Sequence, residues 1–489
     1  VTREHTELEK GTRRPGLWIA AALMLLTTAG ALAARSGTGR TDAIPPAALH
    51  YAAPLSGPVR FEGALDRGSL LAGGDGIVKL ELRMAAEERP AVAPVRVPTD
   101  LTVVLDRSGS MNGEPLAHAK AAVRELVARL SPGDRFALVT FASDGDLRVP
   151  LAPVASGRER FLAAIDAVRA GGGTAMSRGL DLAAQALASG RATGGAGRAV
   201  RVVLVSDGHA NEGDPSFAGL RDRAARAVAG EYVLSTVGVG EGFDEHLMAA
   251  LADAGTGNFY YLQHVEDLGA VFAGEFESAR QTVATALRVA IEPGPGVEVV
   301  DAAGYPLERE RGRVSFRPGD LFAGQDRRIW VTLRARDGEP GLQELGRFTL
   351  AYRAGGDLRE LAFSETPQVA RVAQAKEFFA AVDQDAFDRQ LASDGVGSLK
   401  HAVAEAMRVG DLPSARAVVE EFLADSTAFY ARMGRDAGES KAVQEAEDLR
   451  GLIDAAVAPS APAEAPNRLR KQLSVEAVDG RRQGAKLTR

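Results

Sequence analysis

Asp106-Arg107-Ser108-Gly109-Ser110 follows directly on the apolar run Leu101–Leu105. An apolar, β-like run that ends in a carboxylate and two hydroxyls puts three oxygen donors on one turn at the carboxyl end of a strand. Open α/β sheets bind their ligands there. Oxygen donors carrying few negative charges suit a hard divalent cation, Mg²⁺ ahead of Zn²⁺ or Cu²⁺. By itself the pattern is also an ordinary turn, because Asp, Ser and Gly are turn residues. Two further segments add to it. Gly171-Gly172-Gly173-Thr174 opens a helical pattern, and the apolar run Val202–Val205 ends in Ser206-Asp207-Gly208. Thr174 would also serve as a helix N-cap, and Asp207 as a turn residue after its strand.

Taken together, Asp106, Ser108, Ser110, Thr174 and Asp207 resemble the metal-ion-dependent adhesion site of von Willebrand factor type A domains. The resemblance covers about residues 98–275. It implies that the two serines and the threonine bind a Mg²⁺ ion directly, with Mn²⁺ or Ca²⁺ as substitutes, and that the aspartates bind the ion or its waters. It further implies one coordination position left for an Asp or Glu side chain of a protein partner. The triple glycine is then expected to let the Thr174 hydroxyl move on and off the metal. Arg107 at the rim would orient an acidic ligand or simply be solvated. His209, Asn211, Glu212 and Asp214 continue the loop beyond Asp207 and are candidates for tuning ligand choice.

Enzyme signatures are missing from the sequence. There is no His-Glu-x-x-His zinc motif, no Gly-x-x-x-x-Gly-Lys-Ser/Thr phosphate loop and no Gly-x-Ser-x-Gly nucleophile elbow. The main rival reading is Mg²⁺-dependent hydrolysis of a phosphoester. That chemistry calls for more carboxylates than Asp-x-Ser-x-Ser supplies, so the expectation is a binding module and not an enzyme. A further alternative is an accessory component of a membrane channel or secretion assembly.

The elements that must position these residues are visible as a change of period along the chain. Residues 98–278 alternate buried strands with amphipathic helices, which predicts an α/β, doubly wound, mostly parallel sheet flanked by helices. Its strands are expected at Leu101–Leu105, Phe136–Phe141, Val202–Val205, Tyr232–Val239 and Phe259–Leu262. The helix after the first strand shows Leu116, Ala119, Val123, Leu126, Val127 and Leu130 at helical spacing. Residues 279–367 switch to alternating strands with Gly, Pro and Asp turns, the pattern of a β-sandwich-like unit. Residues 59–97 contain the alternating segment Ile77–Met84 and are expected to pair with that later unit. Strands on both sides of the A-type segment resemble inter-alpha-trypsin inhibitor heavy chains and the bacterial Ca-activated chloride channel homologues. Residues 368–458 read as a helical region, with helices at Val369–Val382, Leu399–Val409, Ala415–Met433 and Ala442–Val457. Residues 459–489 start Pro/Ala-rich and end basic, and are expected to be a disordered tail.

The amino-terminal end bears on location. Lys10, Arg13 and Arg14 precede Leu17–Ala34, an uncharged run of 18 residues. As a helix it would measure about 27 Å, close to the roughly 30 Å of a bilayer core. The charge order predicts a cytoplasmic tail at residues 1–16, an anchor or signal at 17–34, a linker at 35–58, and export of the rest. Ala31-Leu32-Ala33 offers a small-x-small cleavage pattern, so a single-pass inner-membrane protein and a periplasmic or secreted one both remain open. A net charge of −7 over 489 residues gives no reason to expect nucleic acid as a partner. The absence of cysteine excludes disulfides and thiolate metal sites and suits export without requiring it.

Overall fold

A computed structural model describes residues 43–87, 98–191, 198–230, 232–240, 242–262, 264–280, 282–336 and 338–482. The apolar run Leu17–Ala34 lies outside these. Among the described residues no helix is long and apolar enough to cross a membrane.

The described chain opens with β1 (His50–Ala52), β2 (Val59–Leu65), β3 (Ser69–Leu71) and β4 (Ile77–Ala86). It then enters the α/β unit: β5 (Thr99–Asp106), α1 (Glu114–Arg129), β6 (Arg135–Phe141), β7 (Gly145–Pro153), α2 (Val154–Asp166) and α3 (Met176–Arg191). Next come β8 (Ala199–Ser206), α4 (Phe217–Ala229), β9 (Val233–Val239), α5 (Glu245–Ala254), β10 (Thr256–Leu262) and α6 (Leu268–Arg280). The sheet order is β10-β9-β8-β5-β6-β7. All neighbours are parallel except β6 and β7. Every residue of β5 and β8 is buried, as expected for central strands covered on both faces. Leu101, Val103 and Leu105 face α1, α2 and α6, while Val104 faces the core shared with α3, α4 and α5. The chain runs from β5 to β6 on one side, whereas β8 lies on the other. The carboxyl ends of β5 and β8 therefore flank a topological switch point, and Asp106 and Asp207 are there.

β7 has no counterpart in the strands expected from sequence. It is an edge strand with only Val149 buried, so it shows no alternation to read.

Beyond the α/β unit come β11 (Thr282–Pro293), β12 (Val297–Ala302), β13 (Glu308–Glu310), β14 (Arg313–Phe316), β15 (Leu321–Phe322), β16 (Asp326–Ala335), β17 (Gly341–Glu344), β18 (Gly346–Ala354), β19 (Asp357–Ala362) and β20 (Gln368–Val372). One sheet runs β1-β2-β4-β16-β12, with β4 antiparallel to β16 across the whole inserted α/β unit. The other runs β13-β14-β11-β18-β19, and β17-β20-β3 form a small third sheet. Phe61, Leu80, Leu82, Ile329 and Val331 meet Val289, Ile291, Phe348, Leu350 and Tyr352 in one buried core between the two larger sheets.

The last part is helical: α7 (Ala375–Ala380), α8 (Gln384–Gln390), α9 (Val396–Arg408), α10 (Leu412–Arg432), α11 (Lys441–Ala456) and α12 (Ala465–Arg481). Two expectations need correction. Val369–Val382 is not one helix: its first residues form β20, paired in parallel with β3, and only Ala375–Ala380 is helical. The tail is not disordered over residues 465–481. Leu469, Leu473 and Ala477 recur every fourth residue and are buried. Several of the basic residues that suggested a solvated tail are instead paired within the fold. Arg470 pairs with Glu245, Arg481 with Asp301 and Asp394, and Arg482 with Asp253.

Candidate metal centre

β5 delivers Asp106 fully buried at its last position. Asp106 Oδ1 accepts the Ser108 N–H at 2.8 Å, which folds the chain back so that the next hydroxyls face the same crevice. Ser108 Oγ and Ser110 Oγ stand 3.0 Å apart, and Ser110 Oγ donates to Asp207 Oδ1 at 2.8 Å. The Thr174 hydroxyl joins from the other side. A Cβ on Gly208 would lie 3.6 Å from Thr174 Oγ1 and 3.7 Å from Ser110 Oγ, so both hydroxyls border one small space. The structure thus brings together all five residues singled out in the sequence.

The glycines before Thr174 have a steric reason. Gly172 adopts φ +88°, and a Cβ on it would sit 2.8 Å from Ser143 Oγ. A Cβ on Gly173 would sit 2.4 Å from the Glu212 carboxylate. The loop is also pinned. Gly171 N–H donates to the Arg107 carbonyl at 2.8 Å, and Gly109 N–H donates to the Gly172 carbonyl at 3.0 Å. These two bonds tie the loop to the Asp106–Ser110 turn.

Three residues that position the set were not read as doing so. Ser206 Oγ donates to Asp106 Oδ2 at 2.6 Å. Asn211 Oδ1 accepts the Thr174 N–H at 2.8 Å, while its own N–H donates to the Thr174 carbonyl at 3.1 Å. Ser143 Oγ accepts the Gly173 N–H at 2.9 Å. Only Ser206 had a local signal, a hydroxyl inside an otherwise apolar strand end. Of the loop candidates, His209 is exposed and Glu212 lies over Gly173. Asp214 is turned away to Ser216 and Arg223. Among the described residues the Nε of Arg107 finds no hydrogen-bond partner.

Burial pushes the Asp106 carboxyl up to about 6, against the hydrogen bonds from Ser206 and Ser108 and with a smaller push from Asp207. Burial also raises Asp207, opposed by the Ser110 hydroxyl. Two carboxylates held too weakly to ionise comfortably are what a cation would relieve. Among the described residues no group of three or more His, Asp or Glu converges. The donor set is therefore two carboxylates and three hydroxyls, which fits a hard divalent ion with low ligand charge. Ser108, Ser110 and Thr174 would hold it directly, with Asp106 and Asp207 behind them.

Residues 100–274 match the family model for the von Willebrand factor type A domain. This chain contains a von Willebrand factor type A domain. YfbK of Escherichia coli (strain K12) is 32% identical over 250 residues, 49% of this chain and 41% of that protein. Human inter-alpha-trypsin inhibitor heavy chain H4 is 28% identical over 29% of this chain and 16% of its own length. The chain spans no more than 66% of the first curated relatives it matches. A von Willebrand factor type A structure from Catenulispora acidiphila superposes with TM-score 0.66 at 17% identity, over 87% of this chain and 98% of that one. At that identity the likeness is one of fold, but it takes in the β unit and helices as well as the A domain.

Proposed function

We propose that the A domain binds an acidic residue of a protein partner through a divalent cation, Mg²⁺ in the first instance. The observation that carries this is the convergence of Asp106, Ser108, Ser110, Thr174 and Asp207 on one crevice at the switch point. Two carboxylates with three neutral hydroxyls would leave the ion electrophilic, and an Asp or Glu from outside supplies the missing charge. The same scarcity of carboxylates weighs against phosphoester hydrolysis, which would call for more of them or for a nucleophilic aspartate paired with a second acid. Lys10, Arg13 and Arg14 ahead of Leu17–Ala34 support export of the domain, by an anchor or a cleaved signal.

The test uses the full chain. Millimolar Mg²⁺ or Mn²⁺ is expected to raise its melting temperature by binding the native state, and Asp106→Ala to abolish that rise with the circular dichroism spectrum unchanged. Partner capture is expected to vanish in chelator. A metal response that survives in Asp106→Ala removes the site.

A further inference from the structure

Between the outer face of the β1-β2-β4-β16-β12 sheet and the carboxyl-terminal helices lies a cavity of about 330 Å³, remote from the candidate metal centre. Its helical wall carries Phe387, Leu391, Phe422 and Phe429, each no more than 4% exposed. Its sheet wall carries Ile77, Val300 and the partly buried Thr332. We propose that this cavity is a binding site for an uncharged, ring-containing apolar small molecule.

Size, lining and charge each bear on that choice. The recess is open to solvent and its accessible surface is mainly apolar, so an apolar guest would gain by covering it. Ligand sites run from about 300 to 1,000 Å³, favour domain interfaces, and combine aromatic walls with a few polar groups. The cavity meets the first two conditions, and its lining combines the phenylalanine wall with Thr332, Ser398, Gln390, His401 and the charged side chains of its rim.

The charged side chains on its rim already have partners within the fold. Lys79 Nζ lies 2.6 Å from Asp394, which also accepts from Arg481 at 2.9 Å. Arg67 is 2.8 Å from Asp66, and Glu405 takes Arg408 at 2.9 Å. Arg334 lies 4.0 Å from Glu298, and Arg481 completes its pairing with Asp301. A charged guest would compete with these pairs for their donors and acceptors and would add the cost of its own desolvation. An uncharged guest keeps them all.

A matched pair of dyes tests this on the full chain. N-phenyl-1-naphthylamine is uncharged, and 8-anilinonaphthalene-1-sulfonate is the same ring system bearing a sulfonate. The neutral dye is expected to bind saturably at one site with blue-shifted emission, and the sulfonate at least tenfold more weakly. Ala402→Phe and, separately, Ser398→Leu place bulk into the cavity from partly buried helix positions. Each is expected to weaken the neutral dye at least tenfold while near-ultraviolet circular dichroism stays unchanged. If one variant loses that signal, the other decides. Neutral-dye binding that persists in the folded variants overturns the site. A sulfonate that binds as tightly as the neutral dye overturns the ligand class. Neither result depends on the metal.

Discussion

Asp106 is buried where its charge is poorly supported, and that makes the candidate site pH-sensitive in a definite direction. Its carboxyl is raised from 3.8 to about 6 in the folded metal-free chain. A raised acid favours folding while protonated, below its unfolded value, and that contribution is lost as pH climbs through about 6. The loss is on the order of 3 kcal/mol if the full shift of roughly two units is realised. A cation at the crevice binds the ionised form and competes with the proton. Mg²⁺ affinity is therefore expected to fall about tenfold per pH unit below 6, and the Mg²⁺-induced rise in melting temperature to be larger at pH 7.5 than at pH 5. Asp106→Asn is expected to lose both the pH dependence and the metal response. Thermal scans at several pH values with and without Mg²⁺ decide; an equal Mg²⁺ shift at both pH values contradicts the arrangement. The ligand candidates were legible from sequence because they sit at or just beyond the ends of two apolar strands, or just before a helix. Asn211 and Ser143 were not, since their role is only to hold the Thr174 loop from elsewhere in the chain.

At the scale of elements, the loops carry the geometry and the strands carry the legibility. β5 and β8 read clearly because central strands are buried along their whole length and carry the unbroken apolar runs Val103–Leu105 and Val202–Val205. β7 was missed because only Val149 of this edge strand is fully buried, and β20 was read as helix because a short apolar stretch fits either period. The loop contacts yield a sharper expectation. Asn211 grips both the N–H and the carbonyl of Thr174. Asn211→Ala removes the acceptor for a buried N–H, at a cost of about 1–3 kcal/mol. If that grip positions the hydroxyl, Mg²⁺ affinity by calorimetry falls several-fold in this variant although no ligand has been touched. A stability loss with unchanged Mg²⁺ affinity would mean that Asn211 merely braces the loop.

For the whole molecule, the informative element is the helix mistaken for a tail. α12 reaches all three units at once, and its composition hid this because buried ion pairs look like surface charge in a sequence. Arg481 is the centre of that tie, between Asp301 of the β unit and Asp394 at the start of the helical region. Asp394 is 1% exposed, and Lys79 and Arg481 beside it hold its carboxyl well below the usual range, against the effect of burial. Removing one partner of a buried pair costs about 3–5 kcal/mol when nothing replaces it. Lys79 remains here, so Arg481→Met is expected to cost somewhat less, about 2–3 kcal/mol. The sign with pH follows from the depressed acid. Its stabilisation is present above the unfolded value of about 3.9 and is lost as pH falls towards the folded one. The gap in melting temperature between the natural chain and Arg481→Met should thus be widest from pH 6 to 8 and close below pH 4. A gap independent of pH would show that Arg481 acts through packing alone. If its charge is what joins the units, limited proteolysis of Arg481→Met at pH 7 should also release the A domain faster than it does from the natural chain. In that variant Leu469 and Leu473 would still pack α12 into the core of the helical region, but its ion pair to Asp301 of the β unit would be gone.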